Sequence, residues 1–302
     1  MKRTFKPFAS MLMTIREFRS LYFAAYLLLG AGLWSSCTGG AASGRSSDIH
    51  FDSIVVQQQI PLLQTSDTTL PFAEIRIAFT YPSKFRNQES LFRLQKIFQG
   101  TFFGDRQYDS IPPGEAVKKF VEDYSQRYRS LSNAYYEDKN RLKGEMPVWY
   151  WYYMNNSNKI LFQNESILSY AVTYNDYEGG AHGSHRITYT NIDLNELVTL
   201  SEEDLFVPDY YKPLREKIVQ GLMHSYRVNE PDSLLDKGFF TIEDIVPNNN
   251  FWLNNEGIHY SYNQYEIAPY SMGVIDVAIP YTDLQDILLP GGVISRYFLS
   301  EK

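Results

Sequence analysis

Apolar residues alternate with polar ones in some segments of this chain and recur at helical spacing in others. Residues Ala73–Tyr81 alternate strictly, which predicts a half-buried strand that ends before Pro82. The apolar residues of Leu91–Phe98 have helical spacing, and Gly100 is expected to end that helix. A longer apolar stripe at the same spacing predicts a second helix over Pro113–Ser130.

From residue 148 onward the pattern is mainly that of short strands, which predicts an antiparallel meander. A turn is expected within it at Asn155–Asn158, because asparagine and serine favour turns. The predicted strands are Val148–Met154, Ile160–Phe162, Ile167–Tyr174 and Arg186–Leu194.

The last third mixes both patterns. Its predicted elements are a helical turn at Ser201–Asp204, a helix over Lys212–Tyr226, a hairpin of Phe251–Leu253 with Ile258–Tyr262, a strand over Val274–Ile279 and a short helix from Thr282 to Leu288. Because helices and strands come in blocks, we predict an α+β fold, with antiparallel sheets and helices packed on one side. The composition shifts near Gly144–Pro147, which divides the chain into predicted domains at residues 48–145 and 146–302.

The first 36 residues have the layout of a secretory signal peptide. Five basic residues and one acid precede a 13-residue apolar run, Leu21–Leu33. This run is short for a membrane-spanning helix, which needs about 20 residues. Two small residues then precede Cys37, the only cysteine. We predict cleavage before Cys37 and lipid (diacylglycerol and palmitate) on its sulfur; a plain signal peptide or an uncut anchor is the alternative.

The sequence after Cys37 bears on location and charge. Residues 37–47 are small and polar, as in a flexible tether, and carry no acid, which favours the periplasm-facing side of an outer membrane. Removing residues 1–36, whose net charge is +4, from a chain of −7 leaves −11. An acidic body is unlike a nucleic-acid-binding protein, so we expect no nucleic acid as partner.

Two segments are candidates for ligand binding. The first, Tyr177–His185, holds three glycines around His182; we select Tyr177, Gly179, Gly180 and His182 from it. The second, Tyr260–Gly273, is rich in tyrosine, an amphipathic side chain suited to sugars and protein partners; we select Tyr265, Glu266 and Tyr270 from it. A tight strand connection and a chance cluster of tyrosines are the structural alternatives.

Signals for catalysis are weak. His182 and His185 are three residues apart, but glycines break the helix that would bring them together on a metal. Ser184 and His185 are adjacent, so on a strand they point to opposite faces. The chain has no G-x-S-x-G elbow, Walker loop or G-x-G-x-x-G motif. We therefore predict no cofactor, no metal and no catalytic residue, and leave open whether the protein is an enzyme.

Several short sequence blocks of this chain match the pattern of one protein family, in the same order along the chain. The blocks are Gly179–Gly183 (G-G-A-H-G), Asn191–Leu194, Leu200–Phe206, Ile258–Tyr260 and Tyr265–Tyr281. Together they resemble an RsiV-like domain of unknown function, which forms the extracellular C-terminal half of RsiV-type anti-sigma factors and part of a peptidoglycan deacetylase. The resemblance covers about residues 147–290.

The resemblance implies an α+β domain outside the cytoplasm, and RsiV-type proteins bind lysozyme, a basic enzyme. From the sequence we expect neither a deacetylase catalytic domain nor a sigma-binding segment. We therefore expect an envelope lipoprotein that binds a protein such as lysozyme, or cell-wall glycan, without catalysis. The alternative is a cell-wall hydrolase or metal-dependent enzyme that uses the His182 loop.

Overall fold

A computed structural model describes residues 48–65 and 67–299. The predicted signal peptide, Cys37 and the tether lie outside these residues. The strands are β1 (His50–Pro61), β2 (Phe72–Lys84), β3 (Tyr152–Gln163), β4 (Ile167–Tyr177), β5 (Ser184–Asp193), β6 (Val198–Leu200), β7 (Phe251–Leu253), β8 (Gly257–Tyr262) and β9 (Ile275–Pro280). The helices are α1 (Gln88–Phe103), α2 (Pro113–Arg129), α3 (Ser132–Arg141), α4 (Tyr211–Tyr226) and α5 (Val293–Tyr297).

The larger sheet contains six strands in the order β1-β2-β3-β4-β5-β6. Its neighbours are antiparallel except β2 and β3, which are parallel and are joined through α1, α2 and α3. The α+β class and the meander of β3 to β5 are confirmed. Strand β2 comes before the predicted domain boundary at residues 145 and 146, and its partner β3 comes after it. The division into two domains stays a prediction.

Helices α1 and α2 cover one face of this sheet. The alternation in β2 places Ile75, Ile77 and Phe79 on this face, all 1% exposed or less. The Phe79 ring lies 4.5 Å from that of Phe102 in α1. Burying each such side chain contributes about 1.5–3 kcal/mol, so this face forms the first hydrophobic core.

The prediction that α1 ends at Gly100 is wrong. The helix continues to Phe103 and ends at Gly104, which has the left-handed φ of 68° and donates its N–H to the Gly100 carbonyl. Gly100 has another role, because a Cβ there would lie 3.3 Å from Oδ1 of Asp109.

The turn predicted at Asn155–Asn158 is also wrong, since these residues lie inside β3, which begins at Tyr152 after a 3₁₀ turn that replaces the start of the predicted strand. The side-chain amides of Asn156 and Asn158 bond to backbone groups of neighbouring elements in place of forming a turn. Asn156 is buried and donates to the carbonyl of Phe102 at 3.1 Å. Asn158 accepts from the N–H of Thr80 and donates to its carbonyl, both at 2.7 Å, and so extends the β2 to β3 pairing.

The smaller sheet has the order β7-β8-β9, all antiparallel, and includes the predicted hairpin. Helix α4 packs on it and closes a second hydrophobic core. The helix predicted from Thr282 to Leu288 is wrong. That segment begins with a 3₁₀ turn and then pairs with residues 205–207, where Val207 donates to Ile287 and Leu289 donates to Leu205. Its backbone groups are therefore used between segments, and the terminal helix is α5.

The smaller sheet packs against the other face of the larger one, over β4 and β5. Buried Asn191 of β5 joins the two, because its Nδ2 donates to the carbonyl of Phe251 at 2.8 Å and its Oδ1 accepts the N–H of Leu253 at 3.1 Å. The Ser169 hydroxyl of β4 donates to the same Oδ1 at 2.7 Å. The edge strand β7 of the small sheet thus lies against β4 and β5, on the face of the large sheet opposite α1 and α2, and α4 packs on β9.

The free edge of β5 is covered by side-chain amides. The backbone N–H groups of residues 185, 187 and 189 donate to the side-chain oxygens of Gln264, Asn263 and Asn250, at 3.2, 2.7 and 2.9 Å. Asn250 and Asn263 also donate to the carbonyl of Ile187, at 3.0 and 3.1 Å. These amides act in place of a neighbouring strand and fix residues 263 and 264 against β5.

The predicted helical turn at Ser201–Asp204 is confirmed and contains a buried acid. Ser201 and Asp204 form a capping box, and Glu202 is 2% exposed. The Glu202 carboxyl accepts from the N–H of Asn249 at 2.9 Å and from the hydroxyl of Tyr210 at 3.2 Å. Burial raises the pKa of Glu202 above its usual value, and these two hydrogen bonds only partly oppose it.

Glu202→Gln should therefore stabilise the protein increasingly as the pH rises. A raised pKa in the folded state means that the stability contributed by Glu202 is fully present below the unfolded pKa and is lost as the pH rises through the folded one. The difference in free energy of unfolding between Glu202→Gln and wild type should grow in favour of the variant from pH 4 to 7, as measured by urea denaturation. Glu203→Gln, at the exposed neighbouring position, is the control; a Glu202→Gln difference that does not change with pH would contradict the expectation.

Candidate functional site

Two loops distant in sequence meet above the end of the large sheet. One joins β4 to β5 at residues 178–183, and the other follows β8 at residues 263–274. They enclose a cleft of about 330 Å³. Its lining residues are His182, Gly183, Ser184, His185, Arg186, Asn263, Gln264, Tyr265, Glu266 and Tyr270.

Three aromatic rings form one wall of the cleft. The ring of His182 packs 4.1 Å from that of Tyr270 and 6.0 Å from that of Tyr265. The Nδ1 of His182 lies 3.0 Å from the Gly183 carbonyl, and its Nε2 lies 3.0 Å from the Tyr265 hydroxyl. Because a carbonyl only accepts, Nδ1 carries a proton, and in the neutral ring Nε2 accepts from Tyr265. This pair of bonds fixes the plane of the imidazole.

Glycines shape the loop that carries His182. Gly179 and Gly180 have φ of 84° and 106°, a region that other residues rarely adopt. The Tyr177 hydroxyl closes the turn by donating to the Gly180 carbonyl at 3.0 Å. A Cβ on Gly183 would lie 2.8 Å from the backbone oxygen of Asp176 and would also overlap the hydroxyl of Tyr153, so this close approach favours glycine.

A tight turn presents Tyr265 to solvent. Tyr265 has a left-handed φ of 69°, and its N–H donates to the Ala268 carbonyl at 3.1 Å. Its side chain is 55% exposed, although its hydroxyl is bonded to His182. The Glu266 carboxylate is held by the amides of Asn248 and Asn263, at 2.9 and 3.2 Å.

The structure divides the residues selected from the sequence into two groups. His182, Tyr265, Glu266 and Tyr270 line the cleft, although His182 and Tyr265 are 83 positions apart. The other three, Tyr177, Gly179 and Gly180, shape the loop beside it and do not line it. Whether any of them binds a ligand stays a prediction.

Sequence reasoning missed Arg186, Asn263 and Gln264, which complete the cleft. Arg186 is the third residue of β5, just after the glycine loop, and its guanidinium lies over the ring of Tyr174 at 5.5 Å. A signal for the two amides was present, since they immediately precede Tyr265. Their role could be seen only from the β5 edge that they cover.

The cleft is lined by polar side chains that can donate or accept hydrogen bonds. The Nδ1 of His185 donates to the side-chain oxygen of Asn175. Partial burial raises the pKa of neighbouring Asp176, against the effects of Ser184 and Arg186. Within residues 48–65 and 67–299, no group of three or more His, Cys, Asp or Glu side chains is placed to hold a metal ion. No helix in that part of the chain is both long and apolar enough to cross a membrane.

Known families and structures match the chain as follows. The model of a protein family of unknown function, DUF3298, matches residues 203–282, and that of deacetylase PdaC matches residues 77–185. The G-G-A-H-G block thus falls within the PdaC match. No curated protein matches the chain.

Two solved structures are similar. A DUF3298 family member from Bacteroides fragilis has 32% sequence identity and a TM-score of 0.78, over 85% of this chain and 99% of that one. A DUF3298 family protein from Pseudomonas aeruginosa has 16% identity and a TM-score of 0.54, over 81% and 96%, which shows a shared fold. The resemblance to a domain of unknown function that is also found in a deacetylase is confirmed. On the similarity to the Bacteroides protein, the chain belongs to the DUF3298 family.

Proposed function

We propose that this protein is a non-enzymatic binding module of the cell envelope, held by lipid on Cys37, and that its ligand is cell-wall glycan. One observation carries the proposal: His182, Tyr265 and Tyr270 come together on an open cleft rather than in a core. A family model of a deacetylase matches part of the chain, and deacetylation is a reaction of amide-bearing substrates such as acetylated sugars.

The chemistry of the cleft suits a sugar. A pyranose ring has apolar C–H faces, which pack on aromatic rings, and hydroxyls at its rim, which need both donors and acceptors. The Tyr265 and Tyr270 rings supply the first kind of contact. Arg186, Gln264 and Glu266 supply the second, and several are already held by protein contacts, which reduces the entropy lost on binding.

Tyr270→Ala and His182→Ala should each weaken binding to purified peptidoglycan about tenfold, since an aromatic contact contributes about 0.5–1.5 kcal/mol beyond the area it buries. Binding is measured by co-sedimentation with insoluble peptidoglycan over a range of protein concentrations. Tyr211→Ala, which removes a tyrosine that is 50% exposed away from the cleft, is the matched control. Thermal melts of all variants report whether the fold is kept.

Two outcomes would contradict this proposal. Sedimentation that is equal for wild type and both cleft variants would refute the cleft as the site. Release of soluble glycan during the incubation would replace binding by the hydrolase alternative.

Binding of a basic lysozyme is the second candidate, and the charge of −11 predicted for the mature chain favours it. It predicts capture of lysozyme that weakens steeply between low and physiological salt.

A further inference from the structure

The face of the large sheet opposite α1 and α2 carries an ordered row of polar side chains. The strand register places one residue of each of β1 to β5 directly opposite the next. These residues are Gln57, Arg76, Asn155, Asn175 and His185. Cross-strand partners point to the same face, so the row crosses five strands and ends at the cleft, which His185 lines.

Most of this row is open to solvent. Gln57, Arg76 and Asn155 are exposed, while Asn175 and His185 are half-buried. Among the described residues, the main contacts of the small sheet with the large sheet are those of β7 with β4 and β5. The loop that carries Tyr265 therefore forms a wall at one end, and the strands β1 to β3 form an uncovered floor beside it.

Aromatic rings flank the row. Tyr153 and Tyr177 are opposite each other in the next cross-strand row, and their rings stack at 6.2 Å and 23°. Tyr153 is 43% exposed, which leaves part of its ring accessible to a ligand. A depression of about 280 Å³ lies beside it; its lining residues are Glu74, Arg76, Tyr153, Met154, Asn155 and Asn175.

The polar groups of this floor differ in how they are held. Glu74 binds both Nε and an Nη of Arg76, at 3.0 and 2.7 Å, so the guanidinium plane is fixed. The Asn155 amide makes no hydrogen bond with the described residues. An oriented guanidinium beside an amide with free donors and acceptor is suited to ligand hydroxyls, and a charge pair of this exposure adds little to stability.

We infer that the protein binds a linear polysaccharide laid across the strands, with the cleft at one end and the Tyr153–Asn155–Arg76 floor as further subsites. This rests on the proposed function and extends its site. Arg76 lies on β2 and the cleft begins at β5, three strand spacings away or roughly 14 Å at about 4.8 Å each, so a chain of several sugars is needed to reach both. The aromatic rings receive the C–H faces of the sugars, and the row of planar side chains binds their hydroxyl and acetamido groups.

The test is a series of β-1,4-linked N-acetylglucosamine oligomers from dimer to hexamer, titrated by calorimetry into wild type, Asn155→Ala and Arg76→Gln. The affinity of the wild type should rise about tenfold or more from dimer to hexamer. Both floor variants should lose about tenfold for the hexamer and change less than twofold for the dimer. Asn133→Ala, an exposed asparagine on α3, is the matched control.

Each result decides a different question. If hexamer and dimer bind equally and the floor variants equal wild type, while Tyr270→Ala abolishes binding, the extended site is wrong and the proposed function stands. If no oligomer binds wild type, and peptidoglycan does not bind either, both are wrong. Binding of a protein partner through Asn155 and Arg76, without glycan binding, would likewise contradict the proposal that the ligand is a polysaccharide.

Discussion

Replacing Asn191 by alanine is expected to lower the free energy of unfolding by about 3 kcal/mol, because it leaves buried backbone groups without partners. The side chain of Asn191 lies against the outer edge of β7. Its Oδ1 accepts a hydrogen bond from the N–H of Leu253, and its Nδ2 donates to the carbonyl of Phe251. The hydroxyl of Ser169 also accepts from the N–H of Leu253, at 3.3 Å. It cannot replace the Nδ2 of Asn191 as the donor to the Phe251 carbonyl. An unsatisfied buried group costs about 1–3 kcal/mol, and the lost contacts add to this.

The measurement is urea denaturation followed by tryptophan fluorescence. Asn155→Ala is the matched control, since it removes the same amide from an exposed position, and we expect it to stay within about 0.5 kcal/mol of wild type. An Asn191→Ala protein as stable as Asn155→Ala would mean that the two sheets do not depend on this residue.

Gly257→Ala is expected to destabilise the protein by about 3 kcal/mol through overpacking. Gly257 is the first residue of β8 and pairs with Pro280 of β9. A Cβ at Gly257 would overlap the carbonyl oxygen of Ile279 and lie 2.9 Å from its carbonyl carbon. Both obstacles are backbone atoms of a paired strand, so they cannot rotate away as a side chain could. Relief requires that β8 and β9 separate, which exposes the second core.

Gly114→Ala provides the contrast, because nothing lies within 4 Å of the Cβ it would add in the first turn of α2. That substitution should be neutral or stabilise by up to about 1 kcal/mol, since alanine loses less backbone entropy than glycine. Equal melting temperatures for the two alanine variants would show that β8 and β9 shift apart without cost.

The elements predicted well are those whose determinants are local. Helix α2 follows from one apolar stripe after Pro113, and the β7 to β8 hairpin from the polar residues between its strands. The elements predicted badly depend on distant partners. In the sequence, Asn156 and Asn158 indicate a turn. In the structure they lie in β3, because their amides bond to the backbone of Phe102 and Thr80.

The strand β1 and the parallel pairing of β2 with β3 were not predicted. Strand β1 is an edge strand with three consecutive glutamines, so its hydrophobic alternation is weak. The parallel pair joins residues 73–78 to 152–157 across three helices, and no local pattern encodes such a contact.

The candidate site was predictable in its parts but not in its assembly. Glycines around His182 and tyrosines around Tyr265 marked both loops. Their meeting depends on the packing of the small sheet onto β5, and residues such as Arg186 and Gln264 join the cleft only through that packing.

The amides of Asn250, Asn263 and Gln264 that cover β5 also affect how molecules of this protein meet each other at high concentration. An uncovered strand edge is a template for pairing with another chain and leads to aggregation. At residues 185–189 an incoming strand would first have to displace three side-chain acceptors. The protein therefore keeps an open cleft beside the β5 edge without leaving that edge free to start a fibril.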